Sequence, residues 1–270
     1  MINETTEGQE AGEQREELFF KVIEAGNKIL EILAALFIIL MLLYGAYSLW
    51  DTCQINRRAF ISGELMKYKP AGKTDESPSL QELQKINPDV CAWLTVDGTK
   101  IDYPVVQGTD NFEYLEKDVL GNPSVARSIF LDAKSDRNFH DFYTVNMGHH
   151  MQGRKMFGDI DLYTDVSFFE KNTTGTLYVE GRILKLETVA ILKADAYDKY
   201  VYRTDWKEKE EKEELIRHIY ELAVHTRGQR LTVEDQMIAL STCSSGNTNG
   251  RHLLICKVIK ENTVEGSETE

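Results

Sequence analysis

Nineteen consecutive residues, ILAALFIILMLLYGAYSLW from Ile32 to Trp50, carry no charge. At about 1.5 Å per residue such a run is long enough to cross a hydrocarbon core of about 30 Å as a helix. Tyr44, Tyr47 and Trp50 fall at its C-terminal end, where amphipathic rings favour the headgroup region. A cleaved signal peptide would have a shorter apolar region, a basic start in place of MINETTEGQE, and a small-x-small cleavage site. The residues before Cys53, SLWDT, also lack the small side chains of a lipoprotein cleavage site. The run therefore reads as one uncleaved span. Its orientation does not follow from charge, because Arg15, Lys21 and Lys28 precede it and Arg57, Arg58, Lys67 and Lys69 follow it.

Partners are narrowed by charge. A formal net charge of −13 argues against nucleic acid and against docking on anionic lipid, both of which need clustered Lys and Arg. The acidic excess lies at the two ends and in Glu208 to Glu214, where solvated faces and tails account for it. The 4 cysteines, Cys53, Cys91, Cys243 and Cys256, form no CxxC pair, so no zinc ribbon or thioredoxin-like site is expected.

The chain divides into a segment 1–31, the span 32–50, a juxtamembrane helix and linker 51–78, a folded region 79–262 and an acidic tail 263–270. Residues 1–11 read as disordered, and PAGKTDESP reads as a linker. Ser79-Leu80-Gln81-Glu82 reads as a capping box, opening a short helix that buries Leu80, Leu83 and Ile86 and stops at Asn87-Pro88. From residue 90 the pattern becomes strand-like. VCAWLTV and TKIDYPVV flank Asp97-Gly98, a hairpin signal. Further strands are expected over 128–131, 143–147, 176–180, 183–192, 236–241 and 252–259, with Gly181 at a turn. Helical stretches are expected near 111–115, near 158–169, and from Asp205 to about Val224. The last carries Leu215, Ile219 and Leu222 on one stripe, a Thr204 or Asp205 cap and an exposed Glu208–Lys212 pair. About eight strands with a few inserted helices predict a mainly β protein built on a closed or nearly closed barrel.

Two stretches could carry chemistry. In QMIALSTCSSGNTNGRHLLICKVI an apolar strand ends at Cys243, a polar loop follows, and a second strand begins at Arg251. A thiol at a strand end is well placed for a nucleophile, and a permanently charged guanidinium nearby can donate to a developing oxyanion. On spacing alone, a small buried cysteine and a surface arginine are the commoner arrangement. In FYTVNMGHHMQGRKMFGDI a strand delivers His149 and His150 at its end. A histidine there can share a proton with a thiol and protonate a leaving amine, although a satisfied structural histidine is the default. Adjacent histidines face opposite sides of an extended chain and make a poor metal site, and no HExxH is present, so no metal is expected. Cys91 and Cys256 lie within strand patterns and read as core.

Residues 80 to 260 resemble a class B sortase. NPDVCAWLTVDGTKIDYPVVQGTDNFEYL resembles the family's opening strands, and SIFLD, GHHM and MFGDI resemble its histidine region. ALSTC followed by GR resembles its cysteine and arginine strands. The resemblance implies an eight-stranded barrel at 79–262 as the catalytic domain, inserted and N-terminal helices, and one preceding transmembrane helix. It implies Cys243 as nucleophile, His149 as proton-transfer partner and Arg251 as oxyanion stabiliser, with Asn111, Leu115 and Ser241 as substrate contacts and His150 as a bystander. Ala239 and Met147 depart from the family's usual Thr and Tyr, and the second would alter the pocket wall. Residues 204–226 would form one wall of the peptide groove.

The implied activity is cleavage of an NPxTx-like C-terminal sorting motif after Thr. The acyl group then passes to the amine of a lipid II-like peptidoglycan precursor, with no cofactor. The implied partners are surface proteins bearing that signal. The implied place is the membrane of a Gram-positive cell, with 1–31 cytoplasmic and the catalytic domain outside. Two other readings are a pilin polymerase, using the same three residues, and a catalytically silent tethered barrel that only binds.

Overall fold

The computed structural model describes residues 4–58, 63–70, 78–124, 127–151, 153–243 and 249–263. The acidic tail beyond 263, most of the expected linker (71–77) and the loop 244–248 lie outside them. Two compact units divide the chain, Met1–Gln54 and Ile55–Glu270.

The first unit is the body of one helix, α1 (Glu4–Arg58). Its stretch Leu18–Cys53 is long and apolar enough to cross a membrane, and none of its most apolar window is buried against protein. The helix runs back to Glu4, so the expected disorder of residues 1–11 is corrected over the described part. Glu, Gln and Ala are good helix formers and extend the apolar helix at little cost.

The second unit contains α2 (Gly63–Met66) and α3 (Pro78–Ile86) and the strands β1 (Val90–Val96), β2 (Asp102–Val106), β3 (Ile129–Leu131) and β4 (Tyr143–Met147). After β4 come two short strands, β5 (His150–Met151) and β6 (Lys155–Met156), a 3-10 turn over Gly158–Thr164, and α4 (Val166–Lys171). Then follow β7 (Thr174–Val179), β8 (Arg182–Asp195), α5 (Lys209–Leu222), β9 (Ala223–Thr226), β10 (Met237–Cys243) and β11 (Gly250–Thr263). Eight strands close a ring in the order β1-β2-β3-β4-β10-β11-β8-β7, sealed by the pairing of β8 with β11, while β9 adds to β8. The ladders are antiparallel except β2–β3 and β4–β10.

Every residue of β1 except Thr95 is buried, because both faces of the strand are covered. Inside the ring, Leu94, Val105, Leu131, Leu177, Leu184, Leu240 and Leu254 join one core. Outside β1, β2 and β3, a second cluster gathers Val90, Trp93, Val106 and Phe130 under Leu80 and Leu83 of α3. Outside β4, β8, β10 and β11, a third gathers Val145, Val189, Met237, Ala239, Leu253 and Ile255 under Trp206 and Leu215, Ile216 and Ile219 of α5. Each fully buried Leu or Ile contributes about 1.5–3 kcal/mol, so the two covers are part of the fold's stability.

Several local expectations are corrected. Helix α3 spans Pro78–Ile86, which puts Ser79 within the helix and not at the expected cap position ahead of it. Ile86 is 53% exposed. The N-cap of α5 is Glu208, with no side-chain cap bond. Thr204 and Asp205 are engaged elsewhere, near Asp132 and on Arg203. Lys212 sits over the Phe142 ring, and exposed i,i+4 pairs on this helix are Lys209–Glu213 and Arg217–Glu221. At the hairpin, Gly98 has φ +75°, as expected, and a Cβ there would also meet the Asn172 side chain.

Residues 63–70 are tied to the barrel. Leu65 and Tyr68 pack on the cluster under α3, and Lys69 Nζ lies 2.6 Å from Asp102 Oδ2. The same carboxylate accepts from Trp93 Nε1 at 2.7 Å through its other oxygen.

Candidate active site

Cys243 ends β10, and its partner across the antiparallel ladder is Arg251, the second residue of β11. Directly opposed positions on antiparallel strands lie about 4.5–5.5 Å apart at Cα and share a face. Met237 and Ala239 of β10 and Leu253 and Ile255 of β11 lie in the outer cluster. The two-residue strand period puts positions 243 and 251 on that outer face as well. From this end pair the ladder continues with Thr242 opposite His252. Arg251 donates from Nη1 to the Gly250 carbonyl at 2.9 Å.

His149 reaches the same end of the barrel by a parallel strand. The last registered pair of β4 and β10 is Met147 with Ser241, and the Gly148 amide donates to the Ser241 carbonyl at 3.0 Å. His149 stands two residues beyond Met147 as Cys243 stands two beyond Ser241. A Cβ on Gly148 would come within 2.5 Å of Ile129 Cδ1 and Phe157 Cδ2, so any side chain here would displace one of them or the strand. The His149 carbonyl accepts from the Phe157 amide at 3.1 Å. The ring is half-buried, and burial first, then the charges of Arg127 and His150, push its pKa below the usual value. A neutral imidazole suits a group that must first take a proton from a thiol or an amine.

The three residues expected as substrate contacts, Ser241, Asn111 and Leu115, have the following surroundings. Ser241 is buried, and its hydroxyl lies 2.8 Å from the Tyr202 hydroxyl. Asn111 is tied inward: its amide donates to Asp132 Oδ2 at 2.6 Å and its carbonyl oxygen accepts from the Ala133 amide at 2.8 Å. One N–H and one lone pair of that side chain remain for other use. Leu115 packs against the cluster under α3. His150, expected to be a bystander, has a partner: its Nε2 lies 2.8 Å from Asp161 Oδ2. Residue reasoning did not single out Arg127, Asp161 or Tyr202. The run YDKYVYRTDW is aromatic enough to have drawn attention to Tyr202, whereas nothing local marks the other two.

Cys91 and Cys256 are buried, and burial pushes each thiol up to about 12, which leaves them as protonated core groups. Cys256 pairs with Ile238, five positions along β10 from Cys243, a separation of about 16 Å that no disulfide spans. Cys53 is exposed on α1. Among the described residues no cluster of three or more His, Cys, Asp or Glu could hold a metal ion.

No family model matches the sequence. Sortase B of Listeria monocytogenes is 31% identical over 166 residues, which cover 62% of this chain and 67% of that protein. A class B sortase of Streptococcus pyogenes involved in pilus biogenesis superposes with a TM-score of 0.60 at 38% identity, over 66% of this chain and 96% of that one. Sortase B of Staphylococcus aureus, solved as a substrate complex, superposes with a TM-score of 0.65 at 26% identity, over 74% of this chain and 94% of that one.

Proposed function

The chain belongs to the class B sortases, and from that premise we propose that it is a membrane-tethered transpeptidase that cuts sorting signals after Thr through Cys243. The observation that carries this reading is the register of three strand ends: Cys243 opposite Arg251 on β10 and β11, and His149 continuing the parallel strand β4 at the same end.

The thiolate of Cys243 attacks the carbonyl carbon of the Thr in an NPxTx-like motif. The electron pair moves onto the oxygen, where the Arg251 guanidinium supports the negative charge. Collapse of this intermediate breaks the C–N bond, and His149, carrying the proton taken from the thiol, gives it to the departing amine. The acyl group is now a thioester on Cys243. A second amine, from a lipid II-like peptidoglycan precursor, attacks that thioester while His149 takes its proton, and the thiol is restored. Asn111, Leu115 and Ser241 line the approach of the peptide, and the segment ahead of α5, held at Ser241 by Tyr202, forms one wall of its groove. No step calls for a metal or organic cofactor. The span 32–50, within the apolar stretch Leu18–Cys53, anchors the enzyme, with residues 1–31 in the cytoplasm and the barrel, residues 79–262, outside.

The test uses the full chain in detergent with quenched peptides of NPxTx and LPxTG type, and mass spectrometry of the protein. Cleavage of the NPxTx type, with an acyl adduct on Cys243 and none on the high-pKa Cys91 or Cys256, is expected. The variant Cys243→Ala should lose activity by about 10³-fold or more, as removal of a covalent nucleophile does. Retained cleavage in that variant would sink the assignment. A pilin-joining role has one specific point in its favour, the likeness to a pilus-associated enzyme. It would be marked by transfer to a pilin lysine in preference to a peptidoglycan amine.

A further inference from the structure

We propose that Asp161 is a positioning residue, a carboxylate clamp that fixes the chain beside His149 to the chain beside Arg251. The inference rests on the assignment of His149, Cys243 and Arg251 made above.

Asp161 lies in the 3-10 turn Gly158–Thr164, with its side chain about one-fifth exposed. One carboxylate oxygen is 2.5 Å from His252 Nδ1, and the other is 2.8 Å from His150 Nε2. A carboxylate only accepts, so both rings turn an N–H towards it. His150 directly follows His149, and His252 directly follows Arg251. His252 is also the ladder partner of Thr242, the residue before Cys243. One carboxylate therefore holds a neighbour of each member of the trio, directly or through one ladder pair.

The clamp works from behind the site. His252 is 8% exposed and alternates with the outward positions 251 and 253, so it shares the inner face with Leu254 and Cys256 of the barrel core. Asp161 thus reaches the inward-facing ring of His252, whereas positions 243 and 251 lie on the outer face. It supplies what the backbone does not: β4 leaves its ladder at Gly148, β11 begins only at Gly250, and β10 separates the two strands. The turn that carries the clamp is itself fixed. Fully buried Asp159 accepts from Arg154 Nε at 2.6 Å and from the Lys100 amide at 2.7 Å, and Ile160 sits in the barrel core.

A misplacement of about 1 Å at a reacting group can cost about 10²-fold in rate. In the full chain in detergent, Asp161→Ala is expected to lower kcat for the sorting peptide by about 10²-fold while KM changes by less than about 3-fold. Asp161→Asn can accept from one ring and donate to the other after a tautomer change, and should recover much of the loss. The double variant His150→Ala/His252→Ala should be as slow as Asp161→Ala, and adding Asp161→Ala to it should cost nothing more. An unchanged kcat, a loss confined to KM, or a triple variant in which the losses multiply would each overturn the clamp. Where Asp161→Ala does not fold, Asp161→Asn and the double variant carry the comparison. If the wild-type chain turns over no peptide, the transpeptidase reading fails, and the clamp is then judged on the imidazole resonances of 15N-histidine-labelled protein. A His149 signal shifted in Asp161→Ala and returned towards its wild-type position in Asp161→Asn supports it, and one unmoved in Asp161→Ala overturns it.

Discussion

Burial of His149, reinforced by the charge of Arg127 and by His150, has a consequence for stability as well as for chemistry. Its folded pKa is depressed below the ordinary 6.5, so as the pH falls through 6.5 the unfolded chain takes up a proton before the folded one does. The contribution is fully present above about pH 6.5 and is lost as the pH falls towards the folded pKa. His149→Gln removes this proton linkage. Between pH 7.5 and 5 the wild type should lose more Tm than this variant, and parallel Tm curves for the two proteins would contradict the assignment. At this scale the sequence was informative where a residue's placement follows from its own strand end, as for Cys243, His149 and Arg251. It was silent where the placement brings in a distant partner. Asp161 and His252 are 91 residues apart, and no spacing rule joins a 3-10 turn to the second residue pair of a ladder.

Gly148 decides how β4 ends. Its missing side chain leaves room for Ile129 and Phe157, and a methyl group would have to move one of them or the strand. Gly148→Ala should therefore cost about 1–3 kcal/mol of stability, the usual range for overpacking a filled core. Its effect on kcat should be larger than that on Tm suggests, because the displaced residue is the one before His149. Denaturant unfolding beside peptide kinetics checks this, and full activity with lowered stability would count against it. Strands were readable from runs such as VCAWLTV and MIALSTC, whose two covered faces leave an apolar signature. The short strand β9 was not. AVHT follows α5 without a Gly or Pro, and its alternating half-exposed pattern continues a plausible helix end. The start of α5 was also misplaced, because Thr204 and Asp205 form their bonds with Asp132 and Arg203 instead of capping the helix.

For the whole molecule, the division at Gln54 separates two kinds of surface. Leu18 to Trp50 expose nearly every large apolar side chain they carry, whereas the barrel unit buries most of its own. The full chain should sediment with membranes. A chain beginning at Ile55 should stay in the supernatant with the same kcat and KM for the peptide, measured after ultracentrifugation. Aggregation of the shortened chain, or loss of its activity, would show that the barrel depends on α1. The tie of Leu65, Tyr68 and Lys69 to the barrel argues for keeping residues 55–70 in that experiment.

The ring is sealed by β11, which follows every other described strand in the sequence and pairs with β10 on one side and β8 on the other. A chain still being made thus holds Cys243 at the rim of an open sheet, with two unpaired edges and no arginine opposite the thiol. Closure of the barrel and the pairing of position 243 with Arg251 are one event, since both are made by β11. Synthesis interrupted before Gly250 would leave the edges of β8 and β10 unpaired, an aggregation-prone product.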